Sequence, residues 1–263
     1  MALACAPGLL FFAAPSAAQA HKIGVLMLHG KSPGSARDPN FGALRSRFER
    51  EGMLVEMPDM PWSRFRYIDG HWDKAMAEIA GHVAALRAKG ATWIAVVGHS
   101  MGCPAAMSHA ARGGEVQALG LLAPGHVPLG YFTSPRLRPV RESIEEARAL
   151  VAAGKTADTQ RFNDINQGRP QTVVMTPTDY LSYFDPASDA EMSVTAPRIP
   201  ARVPVFVAIG DRDPLYANIR GYFIDRLPAN PGHAFVQLSA DHLSTPSAAE
   251  DALVAWLRKS AGQ

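Results

Sequence analysis

The sequence predicts an α/β protein: a mostly parallel sheet flanked by helices, with a small, mostly helical cap. Three observations lead there. Short apolar runs alternate with stretches of helical periodicity, as strands joined by crossover helices do. Several of those runs end in chemically distinctive residues, where an open α/β sheet places its ligands. One long segment, 126–202, breaks the alternation and is punctuated by prolines.

The first strand is Ile23-Gly24-Val25-Leu26-Met27-Leu28, running into His29-Gly30-Lys31. The Gly-, Ser- and Pro-rich run 31–39 reads as a loop. Phe41 to Glu51 reads as a helix, and Met53 to Met57 as a strand stopped by Pro58. Met76, Ile79, Val83 and Leu86 recur at helical spacing, which predicts a helix over 73–89 with Gly90 as its C-cap. The apolar run Trp93 to Val97 is the next strand, followed by a small-residue helix, Cys103 to Ala111. Ala118 to Ala123 is another strand, ending at Pro124-Gly125.

Within 126–202, Glu142 to Ala153 looks helical, and Tyr180-Leu181-Ser182-Tyr183-Phe184 is an aromatic patch. Val203 to Ile209 then reads as a buried strand, Phe223 and Leu227 suggest a helix, and Ala234 to Leu238 is the last strand. Leu253, Val254 and Leu257 place a final helix, with Ser247 and Glu250 spaced as a capping box. The organisation that follows is a leader over 1–20, a core made of 21–125 and 203–263, and a cap insertion over 126–202.

The chain has 263 residues, 47% hydrophobic and 19% charged, with net charge +2. These values suit one large core and leave no footprint for nucleic acid. No stretch after residue 20 is long and apolar enough to span a bilayer. Residues 1–20 contain no charge, centre on the apolar run Leu9 to Ala14, and end in Ala18-Gln19-Ala20. That pattern predicts a signal peptide cleaved before His21, although the usual early Lys or Arg is missing. The mature protein would then be periplasmic or secreted. Removal of Cys5 would leave Cys103 without a disulfide partner; as a small buried hydrophobe it needs none.

The most informative motif is Gly98-His99-Ser100-Met101-Gly102, set between a strand and a helix. G-x-S-x-G in that context places a serine on a sharp turn above the end of a sheet. A serine hydroxyl needs a base, and the base needs an orienting carboxylate. Two later strands supply candidates in the order acid, then histidine. One ends in Gly210-Asp211-Arg212-Asp213-Pro214, the other in Ser239-Ala240-Asp241-His242-Leu243. Asp211 and Asp213 both qualify by position. Asp241 reads as a turn acid, since neighbouring residues rarely present both side chains to each other. His126 and His233 read as loop or surface histidines. No H-E-x-x-H or Cys-His spacing suggests a metal, and no G-x-G-x-x-G follows the first strand.

With the His29-Gly30 turn added, these four motifs resemble the α/β-hydrolase family of serine esterases and lipases over about 22–257. The resemblance implies Ser100 as nucleophile, His242 as base and, by the Gly-x-x-Asp pattern, Asp213 as acid. It implies an oxyanion hole made by the backbone amides of Lys31 and Met101. Gly98, His99 and Gly102 would shape the nucleophile elbow, and His29 and Gly30 the oxyanion loop. It further implies that the insertion caps the site, that the sheet lacks two strands many members carry, and that no cofactor is needed.

For the substrate pocket the candidates are Trp62, in a loop with Phe65, Tyr67 and Trp72, and the patch residues Tyr180, Tyr183 and Phe184. Lys31, Arg64 and Arg66 read as solvated surface charge, with reception of an anionic substrate as the alternative. The expected activity is hydrolysis of a small-molecule carboxylic ester. The alternatives are thioester hydrolysis, perhydrolysis or C–C cleavage by the same residues, or a hydrolase-like protein that binds without turnover.

Overall fold

A computed structural model describes Met1 and residues 21–263. The expected signal peptide, with Cys5, falls outside the described residues except for Met1.

The elements run β1 (Ile23–Leu28), α1 (Pro39–Arg50), β2 (Leu54–Glu56), α2 (Trp72–Ala88), β3 (Trp93–Ser100), α3 (Gly102–Ala111) and β4 (Ala118–Pro124). The insertion contributes α4 (Pro128–Thr133), α5 (Arg138–Ala152), β5 (Gln160–Asn166), β6 (Arg169–Met175), α6 (Pro177–Phe184) and α7 (Met192–Thr195). The chain closes with β7 (Val205–Gly210), α8 (Ile219–Tyr222), β8 (Ala234–Leu238), α9 (Thr245–Ala248) and α10 (Glu250–Ser260).

Six strands form one sheet in the order β2-β1-β3-β4-β7-β8, and every pairing is parallel. Both faces are covered, which is why the central strands read as continuous apolar runs. Along β1, Ile23, Val25 and Met27 enter the core beneath α1 and α10. Leu26 and Leu28 enter the opposite core, with α2, α3 and the insertion. Each such side chain contributes roughly 1.5–3 kcal/mol when fully buried.

From β1 the chain steps to one side to form β2, then crosses back to β3 and continues outward. The strand order therefore reverses beside β1 and β3. Loops leaving their carboxyl ends diverge there and open a crevice.

Three local expectations are corrected. The insertion contains an antiparallel hairpin, β5–β6, besides its helices. Its two-residue loop, Gln167 and Gly168, has φ of +49° and +75°, the backbone of a twist-matched hairpin turn. The helix expected around Phe223 and Leu227 shrinks to one turn, α8, and a 3₁₀ turn at Ile224–Arg226. Pro228 follows and disfavours a helical Leu227, which is extended at ψ 139°. Finally, Ser247 lies inside α9 and caps nothing: its hydroxyl donates to the Ser244 carbonyl at 3.0 Å. Pro246 starts a helical turn earlier than the Ser247–Glu250 spacing suggested, and α10 begins after Ala249 without a side-chain cap.

Candidate active site

Ser100 is the last residue of β3 and has φ +52°. A non-glycine residue there costs on the order of 1–3 kcal/mol and persists only where surroundings enforce it. Close packing enforces it here. A Cβ on Gly102 would stand 2.0 Å from the Leu28 carbonyl oxygen, and one on Gly98 2.3 Å from that of Gly102. Only glycine lets strand, turn and helix approach so closely. The sheet registers the kink as a shift between His99 and Ser100.

His242 follows β8 and reaches back over this turn. Its Nε2 lies 2.9 Å from Ser100 Oγ, and its Nδ1 lies 2.6 Å from Asp213 Oδ2. A carboxylate only accepts, so Nδ1–H donates to Asp213 and Nε2 is left to accept from the Ser100 hydroxyl. Asp213 is buried, and its other oxygen accepts from the Leu215 amide at 2.8 Å. Asp211 is exposed, and among the described residues its carboxylate pairs with its neighbour Arg212, at 3.4 Å. Asp241 accepts from the Leu243 and Ser244 amides and the Ser244 hydroxyl, the bonding of a turn residue. Geometry thus separates the three acids.

The β1 loop closes the other side. A Cβ on Gly30 would lie 3.1 Å from Ser100 Cβ, and one on Gly125 would lie 2.8 Å from Ser100 Oγ. Lys31 and Met101, whose amides are the expected oxyanion donors, both line the cleft with Ser100. Among the described residues, neither donates to a turn or loop carbonyl. His29 is buried and braces the loop: its Nδ1–H donates to the Gly30 carbonyl at 2.7 Å, and its Nε2 accepts from the Met60 amide at 3.1 Å. Burial holds its imidazole below the ordinary pKa. His99 packs beneath the elbow against Phe41 and His242. Burial lowers its pKa to about 4, so it is neutral near pH 7.

A cleft of about 690 Å³ opens above Ser100. Its apolar lining includes Val127, Tyr131, Ile165, Leu215 and Leu243; Arg64, Asn166 and Gln167 add polar groups. The sequence reading missed most of these, because they come from the insertion and from loops whose approach to Ser100 is set by long-range packing. The Gln167-Gly168 pair was the one local signal for the hairpin.

The expected pocket aromatics are corrected. Trp62, Tyr180, Tyr183 and Phe184 are fully buried, and none lines the cleft. Trp62 stacks on Trp72 at 5.9 Å and donates its indole N–H to the His29 carbonyl. Tyr180 stacks between Phe162 and Phe184, each at 4.4 Å. Tyr183 meets Trp72 of α2 edge-on at 5.0 Å, joining the insertion to the core, while Phe162, Tyr180 and Phe184 stack within the insertion; their apolar faces are used up in that packing.

Two charge assignments change as well. Lys31 is buried and pairs with Asp164 of β5 at 2.8 Å. Arg66 pairs with Glu78 at 2.7 Å. Arg64 remains exposed at the cleft. His126 lies in the loop between β4 and α4, as expected, but is buried in the cleft wall and not at the surface. Its Nε2–H donates to the Tyr183 carbonyl at 2.7 Å, and burial lowers its pKa to about 4. Its place just past the end of β4 was the available clue. His233 is partly buried and bridges the Val205 amide and the Pro228 carbonyl.

Cys103 is buried beneath the elbow, with its thiol toward the Gly98 carbonyl; burial pushes its pKa well up. Among the described residues, no group of three or more His, Cys, Asp or Glu is arranged to hold a metal ion. Among them also, no helix is long and apolar enough to cross a membrane.

No protein-family model matches the sequence, and no curated protein matches it either. Solved structures do match. A monoacylglycerol lipase from Paleococcus ferrophilus superposes with TM-score 0.62 at 17% identity, covering 90% of this chain and 94% of that one. A structure from the metagenome-derived lipolytic enzymes LipS and LipT matches at TM-score 0.60 and 14% identity, covering 91% and 95%. Est1E from Butyrivibrio proteoclasticus with bound ferulic acid matches at 0.58 and 18%, covering 91% and 90%. The protein therefore has the α/β-hydrolase fold.

Proposed function

We propose that this α/β-hydrolase-fold protein is a serine hydrolase that cleaves carboxylic esters without a cofactor. One observation carries the proposal: the unbroken chain from Ser100 Oγ to His242 Nε2 at 2.9 Å and from His242 Nδ1 to Asp213 at 2.6 Å, at the mouth of the cleft. Structures of like fold described as a monoacylglycerol lipase, as lipolytic enzymes and as an esterase domain lend the ester class its support.

Ser100 attacks the ester carbonyl while His242 accepts the hydroxyl proton. Asp213 keeps the imidazole in the required tautomer and stabilises its cation. The Lys31 and Met101 amides receive the oxyanion, a contribution on the order of 3–4 kcal/mol per donor. His242 then protonates the leaving alcohol. Water, activated by the same imidazole, attacks the acyl-enzyme and frees the acid. The apolar cleft wall formed by Val127, Tyr131, Ile165, Leu215 and Leu243 suits an acyl or alcohol group of moderate size. In this reading the insertion 126–202 is a cap over the site, and the protein is exported with residues 1–20 removed.

Steady-state hydrolysis of p-nitrophenyl esters of graded chain length tests the activity, with a thioester series alongside. Turnover that falls ~10⁴–10⁶-fold in a folded Ser100→Ala variant supports the proposal. Turnover of thioesters alone would shift the substrate class. No turnover of either would favour binding without catalysis.

A further inference from the structure

Lys31 occupies two places at once. Its main chain lies in the loop after β1, beside Ser100. Its side chain crosses to the insertion, 133 residues away, where Nζ donates to both Asp164 oxygens at 2.8 and 3.0 Å and to the Ile165 carbonyl at 2.9 Å. Side-chain exposure is 6% for Lys31 and 0% for Asp164. Asp164 is itself held, accepting from the Tyr67 hydroxyl and from the Ile165 amide. A second bond joins the same two segments: the Asn166 amide group donates to the Ser32 carbonyl.

We infer that Asp164 is a positioning residue for the oxyanion hole, holding the Lys31 amide in line through the buried Lys31 side chain. The inference rests on the serine-hydrolase reading above. A buried lysine anchored by three hydrogen bonds at its far end limits rotation about its own Cα. The N–H on that Cα's peptide is the proposed oxyanion donor. Ser32, the next residue, is gripped from the same hairpin at its carbonyl, while the two peptides flanking Lys31 are held at the Gly30 carbonyl by His29 and at the Ser32 amide by the Trp62 carbonyl, so the Lys31 side chain fixes the one free point between them. A buried ion pair is a costly way to attach a hairpin, because its desolvation offsets much of its attraction. Apolar residues would attach it equally well but would not fix direction. Hydrogen bonds between charged groups fix direction as well as distance. A catalytic amide displaced by about 1 Å loses on the order of 10²-fold in rate.

The test replaces both partners. Lys31→Met together with Asp164→Leu substitutes an apolar pair of similar size, an exchange that folded proteins tolerate. Thermal melting establishes folding. kcat and KM are then measured for p-nitrophenyl acetate and p-nitrophenyl butyrate. The expected result is a folded variant whose kcat falls ~10²-fold on both esters with KM within about twofold, as when a transition-state interaction alone is lost. Asp164→Ala, which removes both acceptor oxygens, gives the same comparison should the apolar pair pack poorly, and its kcat should fall in the same way. A folded variant with wild-type kcat, or with a change in KM alone, overturns the inference. Wild-type protein with no turnover of any ester overturns the proposed function, and the positioning role with it.

Discussion

His99 Nε2–H donates to the main-chain carbonyl of His242 at 2.9 Å. The residue before the serine thus holds the backbone of the residue whose ring faces that serine. A carbonyl only accepts, so the proton must sit on Nε2, and burial, which lowers the His99 pKa to about 4, keeps the ring neutral near pH 7. His99→Ala should lower kcat roughly 10–100-fold with little change in KM, because the His242 ring loses its alignment and not its identity. Paired kcat and KM measurements check this. An unchanged kcat would make the bond incidental.

Asp213→Asn should cost on the order of 10⁴-fold in kcat, since an amide at this point favours the wrong imidazole tautomer. Asp211→Asn should cost less than about twofold. Asp211 is exposed, and its carboxylate pairs with Arg212 and not with His242. Side-by-side kinetics decide between them, and a larger loss for Asp211→Asn would exchange their roles.

The aromatic cluster of the insertion should answer to stability and not to substrate size. Tyr180→Ala removes a stacked, buried ring and should destabilise by roughly 3–5 kcal/mol. Tyr183→Phe should be neutral or stabilising by about 1 kcal/mol, because the Tyr183 hydroxyl is buried and has no hydrogen-bond partner among the described residues. Denaturant unfolding measures both. A Tyr183→Phe variant weaker by more than 1 kcal/mol would reveal a bond the hydroxyl makes in solution.

Stability should fall on acidification through the buried histidines. His126 has a folded pKa of about 4 against an ordinary 6.5, so the unfolded chain binds the proton first. The stabilising contribution is therefore complete above pH 6.5 and is lost as pH falls toward 4. At pH 5 this single group has lost about 2 kcal/mol. His126→Asn keeps a neutral donor and suits the positive φ of +62° at that position. Its melting temperature should drop less between pH 7 and pH 5 than that of the wild type. Equal drops would assign the acid sensitivity elsewhere.

What could be read from the residues was mostly local. β1 begins and ends where its apolar run does, because a doubly covered strand is apolar throughout; β8, partly exposed at the sheet edge, still spans its expected run despite Gln237. Ser100, Asp213 and His242 were legible because each sits just past or at a strand end, where topology converges. The hairpin β5–β6 was not legible. Its inward face carries Asp164 beside Phe162, Pro170 interrupts its second strand, and much of its outer face is polar. Nor could any local pattern show that Lys31 would be buried, since its partner lies 133 residues away. The aromatic patch failed for a related reason. Apolar rings suit a pocket and a core equally, and only the packing of the insertion onto the sheet selects between them.

If Ser100 is a nucleophile activated by His242, it reacts covalently with a fluorophosphonate, as read by intact-mass analysis and peptide mapping. One adduct per chain is expected, on Ser100, absent from Ser100→Ala and formed much more slowly in His242→Ala. No adduct on folded wild-type protein, or an adduct on another residue that persists in Ser100→Ala, would contradict it.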